Sequence, residues 1–202
     1  YLQRIRQTVD RPLLRKDFDL RAKVKQARLY ITAMGLYQAY LNGVLVGDHV
    51  MAPGWTSYHH RLHYQMFDVT DLLRAGPNAL SAMLGDGWFL SGLVEYGNRQ
   101  MFMAAPIRLL AQLRIDYADG TSRVVTTDDT WKASPSPILH SEIYDGETYD
   151  ARLEQPGWEQ AGFNDAAWAP ALLSDAPPAI LAAQMTTPAR ATEGAMEPQT
   201  GA

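Results

Sequence analysis

Apolar and polar residues alternate with a period of two through most of the chain. The clearest run is Pro106 to Tyr117. Ile107, Leu109, Ala111, Leu113, Ile115 and Tyr117 share one face, and Arg108, Gln112, Arg114 and Asp116 share the other, as in a half-buried strand. Asp119-Gly120 follows, and Ser122 to Thr127 returns antiparallel. Arg28 to Met34 and Leu36 to Leu41 alternate in the same way, and Asn42-Gly43 then sits between two apolar runs. Both dipeptides accept the positive φ values of a type I′ turn, so the second predicts a tight hairpin over residues 27 to 46. Further strands are expected at Pro12 to Leu20, Tyr64 to Val69, Ala79 to Leu84, Trp131 to Ala133, Ile138 to Ile143 and Thr148 to Leu153. Residues 70 to 74 have room for one helical turn. Residues 47 to 63 and 85 to 105 read as long loops, rich in turn formers.

Many short strands and almost no helical period predict an all-β architecture. Dipeptide turns join only antiparallel neighbours, which points to an antiparallel β-sandwich of jelly-roll type with long rim loops. Residues 1–11 read as a lead-in, 12–175 as the sandwich, and 176–202, where Ala and Pro dominate, as a linker or the start of a following β-domain.

Composition narrows the class. The net charge is −4 and no stripe of Lys or Arg forms, which argues against nucleic acid and anionic membrane surfaces as partners. No stretch has the length and apolarity of a membrane-spanning helix. The chain has no Cys, so disulfides and thiolate metal sites are excluded, while the compartment stays open. Tyr1 to Asp10 has no apolar signal-peptide core, and the absence of a starting Met suggests that the true start lies upstream.

Candidate chemistry concentrates in the predicted loops. Trp55 and Trp88 each sit on a Gly-containing loop rather than a strand face. A flat ring stacks on the apolar face of a pyranose while nearby polar groups fix its hydroxyls. Asp86, Asn98 and Arg99 are placed to supply those contacts, and His59 and His60 read as solvated loop histidines within reach of a sugar. The alternative is that both tryptophans plug the ends of the sandwich or pack against a neighbouring domain. Trp131, Trp158 and Trp168 read as structural. Asp145-Gly146-Glu147 is a turn bearing hard oxygen donors of the kind that hold Ca²⁺, although the EF-hand pattern is missing; otherwise Glu147 faces water or pairs with Arg152. His59, His60 and His63 lack the HExxH spacing of a zinc helix. No Gly-x-Ser-x-Gly elbow and no phosphate-binding glycine pattern is present.

The run ITAMGLYQAYLNGVLVGDHVMAPGWTSY at 31–58 resembles the N-terminal β-domain of bacterial α-L-rhamnosidases. YQMFDVTDLL at 64–73, LGDGWF at 84–89 and IYDGETYDARLEQPGW at 143–158 extend the resemblance in order, over roughly residues 10 to 190. The fold class is then an all-β jelly roll of the galactose-binding-like kind. The resemblance implies a parent enzyme that hydrolyses terminal α-L-rhamnose with inversion, its catalytic carboxylates lying in a helical barrel outside this chain. No catalytic residue is assigned here, and the chain alone is expected to be inactive. Its expected partners are the catalytic domain of the same polypeptide and a rhamnose-containing glycan. No cofactor is required, and calcium through Asp145 and Glu147 is the one candidate metal. A purely structural interdomain module is the alternative reading. In the loop after Trp55 the resemblance leads one to expect an acid or amide, where this chain has Thr56-Ser57-Tyr58-His59-His60.

Overall fold

The computed structural model describes residues 11–95, 98–101, 106–175 and 179–191, and of 92–95 and 98–101 it describes the backbone alone. The strands in chain order are β1 Pro12–Leu20, β2 Val24–Met34, β3 Leu36–Leu41, β4 Val44–Leu45, β5 Arg61–Asp68, β6 Gly76–Gly85, β7 Gly92–Glu95 and β8 Asn98–Met101. They continue with β9 Arg108–Tyr117, β10 Ser122–Thr126, β11 Lys132–Pro135, β12 Ile138–Glu142, β13 Gly146–Tyr149, β14 Ala169–Pro170 and β15 Ile180–Ala183. Helical structure among the described residues is confined to 3₁₀ turns at Thr70–Leu72 and Ala151–Leu153. The first lies where one helical turn is expected, and Asp68 Oδ1 accepts from the Thr70 backbone at its start.

Two sheets form the sandwich. One runs β14-β11-β1-β6-β3-β4 and the other β10-β9-β2-β5-β15. The alternation read from the sequence decides which residues meet between them. Ala27, Leu29, Ile31 and Ala33 of β2 and Ala111, Leu113, Ile115 and Tyr117 of β9 face inward, against Phe18, Leu20, Tyr37, Leu41, Leu80 and Leu84 of the opposite sheet. Each fully buried aliphatic side chain contributes roughly 1.5–3 kcal/mol relative to exposure.

Three sequence expectations are corrected. β2 and β3 do not form one hairpin: the chain leaves one sheet at Met34 and enters the other at Leu36, with Gly35 at φ +116° between them. The Asn42-Gly43 turn, at φ 54° and 84°, instead joins β3 to the short β4. The 85–105 loop contains the β7–β8 hairpin. Residues 180–183, assigned to a linker or a following domain, add to the edge of the five-stranded sheet as β15, parallel to β5. Parallel pairing escapes the sequence because it needs a long crossover rather than a dipeptide turn.

The outer face of the six-stranded sheet is covered by the segment between β13 and β14. Arg15, on the outward side of β1, is 0% exposed beneath it. Its Nε donates to Trp158 O (3.1 Å), Nη1 to Phe163 O (3.3 Å) and to Asp165, and Nη2 to Asp17 Oδ1 (2.6 Å) and Gln160 O (2.9 Å). Trp158 stacks on Trp168 at 6.3 Å and 25°, and Trp158 meets Tyr40 of β3 edge-on at 5.7 Å. The indole of Trp131 donates to Thr126 O at 2.8 Å. These three tryptophans are packing elements.

Candidate functional site

The two Trp-bearing loops meet at one end of the sandwich. The first runs from β4 to β5 and is fastened from below. Tyr37 N donates to Ala52 O (3.0 Å), and Gln65 Nε2 reaches Pro53 O (3.4 Å). Gln65 is itself fixed by the Tyr37 hydroxyl, which donates to its Oε1 at 2.7 Å. Burial pushes the Tyr37 phenol above its ordinary range, so it stays a donor. Above this anchored base Trp55 is 56% exposed. Beyond it, Tyr58 turns inward and packs edge-on against Phe89 at 5.1 Å, which binds this loop to the one carrying Trp88. Burial pushes the Tyr58 phenol up to about 12. Phe89 is 0% exposed. In the sequence Tyr58 and Phe89 are single aromatics within loops, where no period marks them as buried.

His59 and His60 are exposed on the turn that follows, close in chain to Trp55. The backbone of His60 also holds the sheet edge, since Ile180 N donates to His60 O at 2.9 Å. Trp88 is half-buried and lines a cleft of about 90 Å³ with His49, Met51, Pro53, Gly54 and Gln184. The cleft is small against the roughly 300–1,000 Å³ of small-molecule pockets. Its far wall is the segment around Pro188, clipped on by Val50 N to Ala189 O (3.0 Å) and Arg190 Nε to Asp48 Oδ2 (2.6 Å).

Asp86 occupies a different environment from the one its neighbour Trp88 suggests. It is 1% exposed and accepts from Arg11 Nε at 2.9 and 2.8 Å and from Ser141 N at 2.9 Å. These contacts tie the start of β1 and the β12 strand to the end of β6, so the carboxylate is a structural clasp rather than an open ligand for a hydroxyl. Asp86→Ala is expected to lower stability by about 2–3 kcal/mol, because Arg11 is left partly buried without its partner; a denaturation midpoint within error of wild type would refute this. Asn98 and Arg99 lie on β8, opposite Glu95 and Val94, and their side chains fall outside the described set.

The proposed calcium ligands stay dispersed. Asp145 and Glu147 are both exposed, and among the described residues no group of three or more His, Asp or Glu assembles as metal donors. Arg152 pairs with Asp150 at 2.6 Å rather than with Glu147. Behind the turn, Glu142 accepts from Tyr144 N and Asp145 N, each at 2.6 Å, and from Ser91. Burial pushes its carboxyl up, but these donors outweigh burial and hold it below the usual range. It braces the turn. Among the described residues, no further acids join Asp145 and Glu147 in the kind of oxygen cage that calcium takes.

An all-β sandwich with anchored loops at one end defines a module that presents side chains from its rim, and comparison with known proteins specifies which. Residues 22–193 match the family model described as the α-L-rhamnosidase N-terminal domain. The chain belongs to that family. It is 45% identical over 156 residues to an α-L-rhamnosidase of Streptomyces avermitilis, covering 77% of this chain and 15% of that protein. It is 38% identical over 170 residues to one from Alteromonas sp., covering 83% and 18%. The crystal structure of the S. avermitilis α-L-rhamnosidase complexed with L-rhamnose superposes with a TM-score of 0.82 at 43% identity, over 90% of this chain and 18% of that one. The native Aspergillus terreus enzyme gives 0.82 at 42% identity, over 91% and 21%. The chain thus spans less than a fifth of the length of the Streptomyces and Alteromonas relatives.

Proposed function

We propose that this chain is a non-catalytic accessory domain of an α-L-rhamnosidase, which supports the catalytic domain of the same polypeptide and contacts rhamnose-containing glycan through the rim loop of Trp55. The observation that carries the reading is Trp55 itself: a broad ring more than half exposed on a loop whose base is held by Tyr37, Gln65 and the Tyr58–Phe89 contact. A ring held from below stacks on a pyranose with little ordering cost at binding. His59 and His60 supply donors and acceptors on the adjoining turn.

Glycoside cleavage needs two carboxyls across one bond, one of them an acid of raised pKa. Asp86 and Glu142, the buried carboxylates among the described residues, are both engaged in bracing the fold. Glu142 is shifted in the direction opposite to a general acid. This supports assigning hydrolysis to the rest of the parent enzyme.

Titration with L-rhamnose is expected to quench the tryptophan fluorescence, and Trp55→Ala is expected to abolish the quench while leaving the thermal midpoint unchanged. A flat titration of the wild-type chain removes the sugar-binding part of the proposal. A quench that persists in Trp55→Ala moves the site elsewhere.

A further inference from the structure

Away from the rim, the outward face of the five-stranded sheet carries a trough of about 250 Å³, larger than the cleft beside Trp88. Tyr30 of β2, Tyr64 of β5, Leu110 and Gln112 of β9, Thr126 of β10 and Leu181 of β15 line it, so every strand of the sheet contributes. The register explains the grouping. Thr126 lies opposite Gln112, Gln112 opposite Tyr30, and Tyr30 opposite Met66, which forms one row across the sheet. Tyr30 and Tyr64 meet edge to face, with centroids 6.1 Å apart and planes at 61°.

The lining contains no Asp, Glu, Lys, Arg or His. Charge begins only in the next row along the strands, where Arg28 lies opposite Asp68 on one side and Arg114 on the other, and Arg114 pairs with Asp116 at 3.2 Å. Within the lining itself, a charged ligand of either sign meets no counter-charge. The side chains of Tyr30, Tyr64, Gln112 and Thr126 make no hydrogen bond among the described residues, so their polar capacity faces outward. A purely apolar partner would bury those groups without hydrogen-bond partners, which is unfavourable. Met66, Leu110 and Leu181, each about half exposed, supply the apolar part of the surface. The occupant matched by charge and polarity is uncharged, with an apolar C–H face for the rings and hydroxyls for Gln112 and Thr126.

We infer that this trough is a second carbohydrate-binding site, which takes a neutral pyranoside chain and acts independently of the Trp55 rim loop. It rests on the sheet face alone and goes beyond the rim reading. The test is an NMR titration of the isotope-labelled chain with a neutral rhamnan oligosaccharide, and with a galacturonate oligomer of equal length as the anionic control. Gln112 is exposed, so Gln112→Arg fills the trough without touching the core.

Amide shifts are expected at residues 30, 64 and 112 with the neutral oligomer and not with the acidic one. Gln112→Arg is expected to weaken binding on this face by at least about tenfold, and Trp55→Ala to leave it unchanged. Shifts confined to the rim, abolished by Trp55→Ala and indifferent to Gln112→Arg, would overturn the trough while preserving the rim. Saturating neutral oligosaccharide with no shift on the sheet face would overturn it too, as would equal binding of both oligomers there.

Discussion

Arg15→Met is expected to lower the unfolding free energy by about 3–5 kcal/mol, the cost of breaking a buried charge network from one side. Arg15 has five N–H donors, and all five find acceptors on Asp17, Trp158, Gln160, Phe163 and Asp165. Methionine fills much of the volume but leaves three carbonyls and two carboxylates facing a donor that is gone. The covering segment then loses its hold on β1, and the Trp158–Trp168 stack with it. Arg15→Lys is expected to recover only part of the loss, because one ammonium cannot reproduce the planar fork. Urea denaturation followed by Trp fluorescence reads this directly, and a loss below about 1 kcal/mol for Arg15→Met would show that the covering segment is held by its aromatics alone.

The same cluster sets a pH dependence. Burial pushes the Asp165 carboxyl up, but the hydrogen bond from Lys132 and the Arg15 charge outweigh it and hold the group below its ordinary value. A depressed folded-state pKa adds stability above the unfolded value of about 3.9 and loses it as pH falls through the folded value. Asp17 works against this: burial, helped by the nearby Asp165 charge, holds it above its ordinary value despite the charge and hydrogen bond of Arg15. The net acid limb is therefore shallower than Asp165 alone would give. In Arg15→Met the Asp165 depression shrinks, so the difference between the two proteins is expected to narrow as pH drops below about 4. A gap that stays constant to pH 2 would exclude the ion pair as its source.

How far the sequence reaches follows from what each signal encodes. Alternation reports which side of a strand meets the core: the strand expected at Pro12 to Leu20 stands there, and the one expected at Pro106 to Tyr117 runs from Arg108 to Tyr117. It does not report which sheet a strand joins. Arg28 to Met34 and Leu36 to Leu41 look like consecutive arms of one hairpin, yet a single glycine separates them into opposite layers. The Asn42-Gly43 turn is legible as a turn, but its further role is not. Asn42 Nδ2 reaches Asn78 Oδ1 (2.8 Å) and Leu72 O (2.9 Å), and its Oδ1 accepts from Ala79 N (2.8 Å), which clips the turn to residues 30 to 37 positions further along the chain. Trp55 is exposed as its loop position suggests. Asp86 reads as a loop acid beside Trp88, but its fate depends on Arg11, 75 positions earlier in the chain. Contacts of that span leave no local pattern.

Gly35 makes the point measurable. Here φ is +116°, outside what an L side chain adopts, and a Cβ would lie 2.6 Å from the Gly85 carbonyl oxygen and 3.0 Å from Ile107 Cγ2. Gly85 is paired with Leu36 in the ladder, so its carbonyl cannot retreat without opening the β3–β6 register. Gly35→Ala therefore combines backbone strain of about 1–3 kcal/mol with an overpacking cost of similar size, roughly 3–5 kcal/mol together. Gly120→Ala separates the two effects, because its φ is +83° but nothing lies within 4 Å of the added Cβ. It is expected to cost only the backbone part, about 1–2 kcal/mol. Urea midpoints of the two variants provide the comparison. Equal losses would mean that the crossing between sheets tolerates a side chain, so that close approach at Gly35 does not force β2 and β3 into different layers.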